Sequence, residues 1–79
     1  IKEYAFAPTT SSVRVGDTVT FRNLDETEHT ATVAGMDALD TGTIKAGGAG
    51  RIRFTKPGRF AYLCVFHPYM KGTVVVTTP

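Results

Sequence analysis

Gly58-Arg59-Phe60-Ala61-Tyr62-Leu63-Cys64-Val65-Phe66-His67-Pro68-Tyr69-Met70, running on into Lys71-Gly72-Thr73-Val74-Val75-Val76, is the stretch on which the reading of the fold turns. Phe60, Tyr62 and Cys64 alternate with other residues and so share one face of a strand, as do Val74 and Val76 farther on. Pro68 has no amide hydrogen to give to a ladder, so the chain must leave the sheet there. The stretch therefore encodes strand, short loop, strand, with the Cys64 sulfur pointing inward where the first strand ends.

The same period of two recurs outward from this stretch. Tyr4 with Phe6, Val13 with Val15, Val19 with Phe21, and Ile52 with Phe54 each fit one face of a strand. Glu28-His29-Thr30-Ala31-Thr32-Val33 reads as another. Ala7-Pro8, Val15-Gly16-Asp17, Gly47-Gly48-Ala49-Gly50 and Lys56-Pro57-Gly58 punctuate them as turns. Thr and Val are abundant, which suits a pleated surface. No ten-residue window carries a helical stripe. The segment from Ala34 to Gly42 is irregular, and Met36, Leu39 and Ile44 are placed at one end of the domain. About seven or eight short strands in one all-β sandwich or barrel are expected.

Length bounds the rest. With 79 residues the chain makes one domain, residues 1–79. A domain of this size buries roughly 60% of its unfolded surface, which leaves little room for a substrate cleft. Nine Lys and Arg against seven Asp and Glu give a net charge of +2. No basic cluster calls for nucleic acid, and no apolar run is long enough to span a bilayer. A single cysteine excludes an internal disulfide and leaves the redox compartment open. The chain begins at Ile1, which reads as a mature or excised segment.

The chemistry lies in Cys64, His67 and Met70, spaced C-x2-H-x2-M, together with His29 far upstream. Taken singly, each has an ordinary explanation: a hydrogen-bonded histidine, a small buried hydrophobe, a turn, a core filler. Together they supply one thiolate, two imidazoles and one thioether. Zinc favours thiolate, imidazole and carboxylate in closed four-ligand sites. Thioether is a copper(I) ligand, and copper(II) heads the divalent affinity order. The set fits a single redox-active copper ion held between two parts of a sandwich. Cys64 and His67 also allow a nucleophile–base reading, a hydrolase. The same ligands would serve a copper carrier or storage module.

With these residues in place, the chain resembles the cupredoxins, the small blue copper proteins, and within them the amicyanin branch. Phe6-Ala7-Pro8, Val13-Arg14-Val15-Gly16-Asp17-Thr18-Val19-Thr20-Phe21-Arg22-Asn23, Glu28-His29-Thr30 and Gly58-Arg59-Phe60-Ala61-Tyr62-Leu63-Cys64 carry the resemblance, followed by His67-Pro68 and Met70. The gap of two residues between His67 and Met70 is the spacing of that branch. The resemblance implies a Greek-key β-sandwich with one copper ion per chain near one end, His29, Cys64 and His67 as equatorial ligands and Met70 as the axial one. It implies one-electron transfer between redox partner proteins by a monomer, no enzyme activity, and a periplasmic or extracellular location. Thr30 and Asn23 are the expected outer-sphere residues, with a backbone N–H near Thr30 or from the Cys64 loop bonding the sulfur. Phe66, Pro68 and Tyr69 are the expected electron port and partner surface.

Two positions depart from the family. Thr30 stands where many relatives have Asn, and Glu28 where many have Pro. That Asn helps tie the two ligand loops together, so a different set of outer bonds is expected here, with Glu28 pointing into water. Asp25, Glu26 and Glu28 should flank the copper end, and Lys56 and Arg59 the other, a polarity able to orient a partner.

Overall fold

The computed structural model describes residues 1, 4–6, 9–36 and 39–78. Five strands form among them: β1 (Thr10–Arg14), β2 (Thr18–Arg22), β3 (Ala49–Arg53), β4 (Gly58–Leu63) and β5 (Lys71–Thr77). They build two sheets, one ordered β1-β5-β4 and one pairing β2 with β3. β5 is central in its sheet, parallel to β1 and antiparallel to β4. No helix occurs among the described residues. The architecture is the expected all-β sandwich, with fewer regular strands than the alternation implied.

The missing ladder is present in another form. The stretch from Glu28 to Val33 forms isolated bridges: His29 to Ile44, and Thr32 to both Asp40 and Leu63. Its backbone hydrogen bonds go to two different neighbours, so no single partner strand extends along it. The irregular segment after it closes on itself, with the Val33 and Leu39 backbones paired and the Leu39 amide donating to Met36. Tyr4 and Phe6 also fail to make a strand. Phe6 is buried, whereas Tyr4 is exposed and holds a left-handed φ of 58°. That conformation is costly for a residue with a Cβ, by about 1–2 kcal/mol. The Ala7-Pro8 turn lies outside the described residues.

Inward positions of both sheets meet in one core. Phe21 and Ile52 come from the β2–β3 pair, Tyr62 from β4, and Val74 and Val76 from β5, while Phe6 joins from the amino-terminal segment. The rings of Phe6, Phe21 and Tyr62 contact one another edge to face, with centroids 4.7 to 6.3 Å apart. Ala31, Ile44, Cys64 and Met70 belong to the same cluster. The core thus runs without interruption into the end of the sandwich where β4 stops. At the opposite end, Val15-Gly16-Asp17 makes the expected turn, with Gly16 at φ 93° and the Asp17 carboxylate accepting from the Arg14 N–H.

One cross-strand pair fixes how β4 and β5 enter the ligand loop. Tyr62 lies opposite Gly72, and a methyl group on Gly72 would collide with the phenol ring. The ring fills the space that a side chain on β5 would otherwise take. Gly72→Ala is expected to cost about 1–3 kcal/mol through overpacking, read as a lower urea midpoint. Burial raises the Tyr62 phenol above its ordinary value of 10.0. A raised folded-state value means that the neutral phenol adds stability present in full below pH 10 and lost as pH rises through that value. Tyr62→Phe is expected to flatten the alkaline fall in stability; an unchanged slope above pH 10 would contradict this account.

Candidate metal centre

Three consecutive backbone hydrogen bonds wind the loop after β4 into a tight coil. The His67 N–H donates to the Cys64 carbonyl at 3.2 Å, the Met70 N–H to the His67 carbonyl at 2.8 Å, and the Cys64 N–H to the Met70 carbonyl at 3.1 Å. The last bond closes the loop across its neck, so Cys64 and Met70 begin and end it side by side. The spacing of three residues between Cys64, His67 and Met70 is therefore the repeat of the turns themselves. Cys64 is fully buried and Met70 nearly so, while His67 is half-buried.

His29 comes from the other side. Its N–H and carbonyl both pair with Ile44, at 3.1 and 2.7 Å, and its ring is fully buried. The Cys64 sulfur lies 3.7 Å from His29 Nδ1 and 3.9 Å from His67 Nδ1. All three donor atoms lie within 4.8 Å of one another. These separations test the donor set against a common ion. Metal bonds of about 2.1 Å to nitrogen and about 2.3 Å to sulfur, meeting at about 120°, put N and S about 3.8 Å apart. The observed 3.7 and 3.9 Å match that spacing, so the sulfur and the two nitrogens fit a common metal ion. Met70 is buried at the neck of the same loop.

His29 and Cys64 are each oriented by a partner. His29 Nε2 lies 2.8 Å from Asp25 Oδ2. With Nδ1 directed at the cluster, Nε2 is the ring atom left to donate to the carboxylate, an arrangement that orients a ligating histidine. The Thr30 N–H donates to the Cys64 sulfur at 3.4 Å. The Thr30 hydroxyl accepts from the Val65 N–H at 3.0 Å and from the Thr32 hydroxyl at 3.0 Å. Thr30 therefore ties the two ligand segments together with its backbone and its side chain at once, at the position where many relatives use Asn. Glu28, the second departure, is exposed as expected.

Asn23 is fully buried and acts one step back. Its side-chain amide donates to the carbonyls of Thr27 and Ile44 at 2.8 and 2.9 Å, and its oxygen accepts from the Asp25 N–H at 3.0 Å. It holds the turn that carries Asp25 and the segment that pairs with His29. No buried side-chain nitrogen or oxygen among the described residues lacks a partner. Phe66, Pro68 and Tyr69 are exposed beside His67, with the Tyr69 ring centroid 6.0 Å from the imidazole.

Two contributors escaped the sequence reading. Asp25 was placed with Glu26 and Glu28 as general acidic charge, and its position four residues before His29 is the signal that marks it. Tyr4 stands against both imidazoles, its centroid 5.4 Å from His29 and 4.9 Å from His67. Nothing in the local sequence marks that contact.

A buried cysteine sulfur and two imidazole nitrogens clustered at one end of a two-sheet β-sandwich define a cupredoxin-type centre. Residues 1–76 match the cupredoxin-like domain, and the chain belongs to that family. It is similar to amicyanin from Paracoccus denitrificans, 41% identical over 68 residues that make up 81% of this chain and 52% of that protein. Amicyanin-alpha from Methylorubrum extorquens is 26% identical over 68 residues, 81% of this chain and 57% of that protein. The chain thus spans little more than half the length of these curated relatives. Among solved structures, the reduced Cu(I) form at pH 4 of a proline-to-glycine amicyanin mutant superposes with a TM-score of 0.87 at 34% identity, over 98% of this chain and 77% of that one. A reduced tryptophan-to-tyrosine amicyanin mutant gives 0.86 and 34% over the same shares.

Thr30→Val removes the acceptor for the Val65 N–H and is expected to cost about 1 kcal/mol in the metal-free protein, read by urea denaturation. Asp25→Leu leaves the His29 ring without its carboxylate. Copper affinity should then fall roughly 10- to 100-fold in competition with a chelator.

Proposed function

We propose that this chain is a one-electron transfer protein that would hold one type 1 copper ion through the Cys64 sulfur, the His29 and His67 imidazoles and the Met70 thioether. The observation that carries the reading is the pair of sulfur–nitrogen separations, 3.7 and 3.9 Å, around a fully buried Cys64 sulfur. When bound, copper would supply a Cu(II)/Cu(I) couple coordinated by a thiolate.

The chain's own residues keep that couple poised. Cys64 would hold the ion as a thiolate, since a coordinating metal displaces the thiol proton. The Thr30 N–H aimed at its sulfur withdraws charge and tunes the potential. Asp25 and the Ile44 backbone fix His29, and the coil of residues 64–70 fixes the backbones of Cys64, His67 and Met70, so the site would need little rebuilding between oxidation states. Cys64 is fully buried in the same core cluster as Ala31 and Ile44, which keeps water from the sulfur. His67 lies at the half-open edge, ringed by Phe66, Pro68 and Tyr69. We take this edge as the electron port, and an apolar rim of that kind suits the small interface of a short-lived redox complex. The partners are a donor and an acceptor protein. No helix among the described residues is long and apolar enough to cross a membrane. The likeness to amicyanins supports a periplasmic placement.

The rival readings fare worse on this geometry. Cys64, His29 and Asp25 line up as a nucleophile, base and orienting carboxylate would, but Cys64 and His29 are both 0% exposed. A substrate has no approach to the sulfur, which removes the hydrolase. A copper carrier must release its ion. Donors drawn from separate segments and locked by Asp25, Thr30 and Asn23 favour retention.

Addition of Cu(II) to the purified chain is expected to give an intense blue thiolate-to-copper band at one equivalent, abolished in Cys64→Ser. A colourless protein with an exposed-site EPR signal would overturn the reading. Phe66→Ala and Tyr69→Ala should keep the colour and slow electron self-exchange measured by NMR line broadening; unchanged exchange would remove the port from these residues.

A further inference from the structure

Tyr4 is the only described residue other than glycine with a positive φ. Strained backbone persists where the surroundings over-determine it, and such sites cluster at functional positions. Here the surroundings are two hydrogen bonds to one turn. The Tyr4 N–H donates to Asp25 Oδ2 at 3.0 Å, and the phenol pairs with the Thr27 hydroxyl at 2.9 Å. The same Asp25 oxygen receives His29 Nε2 at 2.8 Å. One carboxylate oxygen thus clasps the Tyr4 backbone and the His29 ring together.

The ring of Tyr4 is then held across both imidazoles. It meets His29 at an interplanar angle of 90° and His67 at 89°, while the two imidazoles stand 5.3 Å apart at 60°. Edge-to-face contacts of this kind are attractive and directional. His29 is already fixed by its backbone pairing and by Asp25. His67 is held by its backbone alone within the coil; no carboxylate among the described residues pairs with its ring, whose neighbours are the Cys64 sulfur, His29, Tyr4 and Tyr69. Of the tyrosines, Tyr4 is nearer to it, at 4.9 Å against 6.0 Å for Tyr69. Tyr69 is also 69% exposed, against 41% for Tyr4.

We propose that Tyr4 is a positioning residue, a strap from the amino-terminal segment that holds the His67 ring in its ligating rotamer and closes the solvent side of the two-histidine pair. The proposal rests on the copper reading for its purpose, but its physical content is the orientation of His67, which can be read in the metal-free chain. The left-handed conformation of Tyr4 turns the ring back over the site while its amide reaches Asp25.

The test is side-chain NMR of the metal-free protein in three variants, followed by copper release to a chelator. In the parent chain and in Tyr4→Phe, the His67 ring should occupy one rotamer, with cross-peaks to the aromatic ring at position 4. In Tyr4→Ala those contacts vanish and the His67 couplings average over rotamers, while the amide shifts of β4 and β5 and the His29 ring stay in place. Tyr4→Leu keeps apolar bulk without an aromatic edge and should behave as Tyr4→Ala, which guards against a folding defect in the smaller variant. Copper should leave Tyr4→Ala about tenfold faster than the parent, and Tyr4→Phe within about twofold of it. A single His67 rotamer retained in both Tyr4→Ala and Tyr4→Leu would overturn the proposal. Failure to bind copper at all would overturn the functional reading instead, and leave the rotamer measurement to decide the strap.

Discussion

The structure depends on the junction between residues 30–32 and the end of β4. Thr32 and Leu63 exchange both backbone hydrogen bonds at 2.9 Å. Within two residues on either segment, the Thr30 N–H meets the Cys64 sulfur and the Val65 N–H meets the Thr30 hydroxyl. This short antiparallel contact joins the segment that carries His29 to the strand that carries Cys64. Without it the two halves of the donor set would belong to different parts of the sandwich with nothing to fix their separation. Because it is made of backbone groups and one short side chain, it has few rotamers to lose.

Burial makes that junction exacting. His29, Thr30 and Asn23 are the buried polar residues among those described, and all three lie at this end of the molecule. A buried polar group without a partner costs about 1–3 kcal/mol, so each must be matched. They are matched mostly by one another's neighbourhood: Asn23 holds the Asp25 turn and Ile44, Asp25 holds His29, Ile44 pairs with His29, and Thr30 spans to Cys64 and Val65. A fully satisfied network in a low-dielectric setting is stiff, and loss of one member is felt by the rest. That stiffness suits a site whose ligands should stay put while an electron comes and goes.

Much of this was legible in the order of residues, for identifiable reasons. The alternation in Thr18–Arg22, Gly58–Leu63 and Lys71–Thr77 reports strands because one face of each meets the core, as the buried Phe21, Tyr62, Val74 and Val76 confirm. The ligand loop was legible because its donors recur at the repeat of its turns. The stretch from Glu28 to Val33 misled for the opposite reason. Its alternation of Ala31 and Val33 with Thr30 and Thr32 mimics a strand, yet its backbone hydrogen bonds are divided between the segment from Leu39 to Ile44 and Leu63. Tyr4 misled in the same way, since spacing with Phe6 implied a shared face and a left-handed backbone separates them.

By itself the sequence determined the class of fold and the kinds of donor atom, since both follow from local matters: period, turn residues, and the identities of one cysteine, two histidines and a methionine. The tertiary structure alone decided which acidic residue orients His29, that threonine joins the ligand segments, and that a tyrosine from the amino-terminal segment lies across both imidazoles. These are contacts between residues distant along the chain or dependent on a particular backbone angle. Periodicity carries no record of them, because it reports which face is buried and not what lies against it.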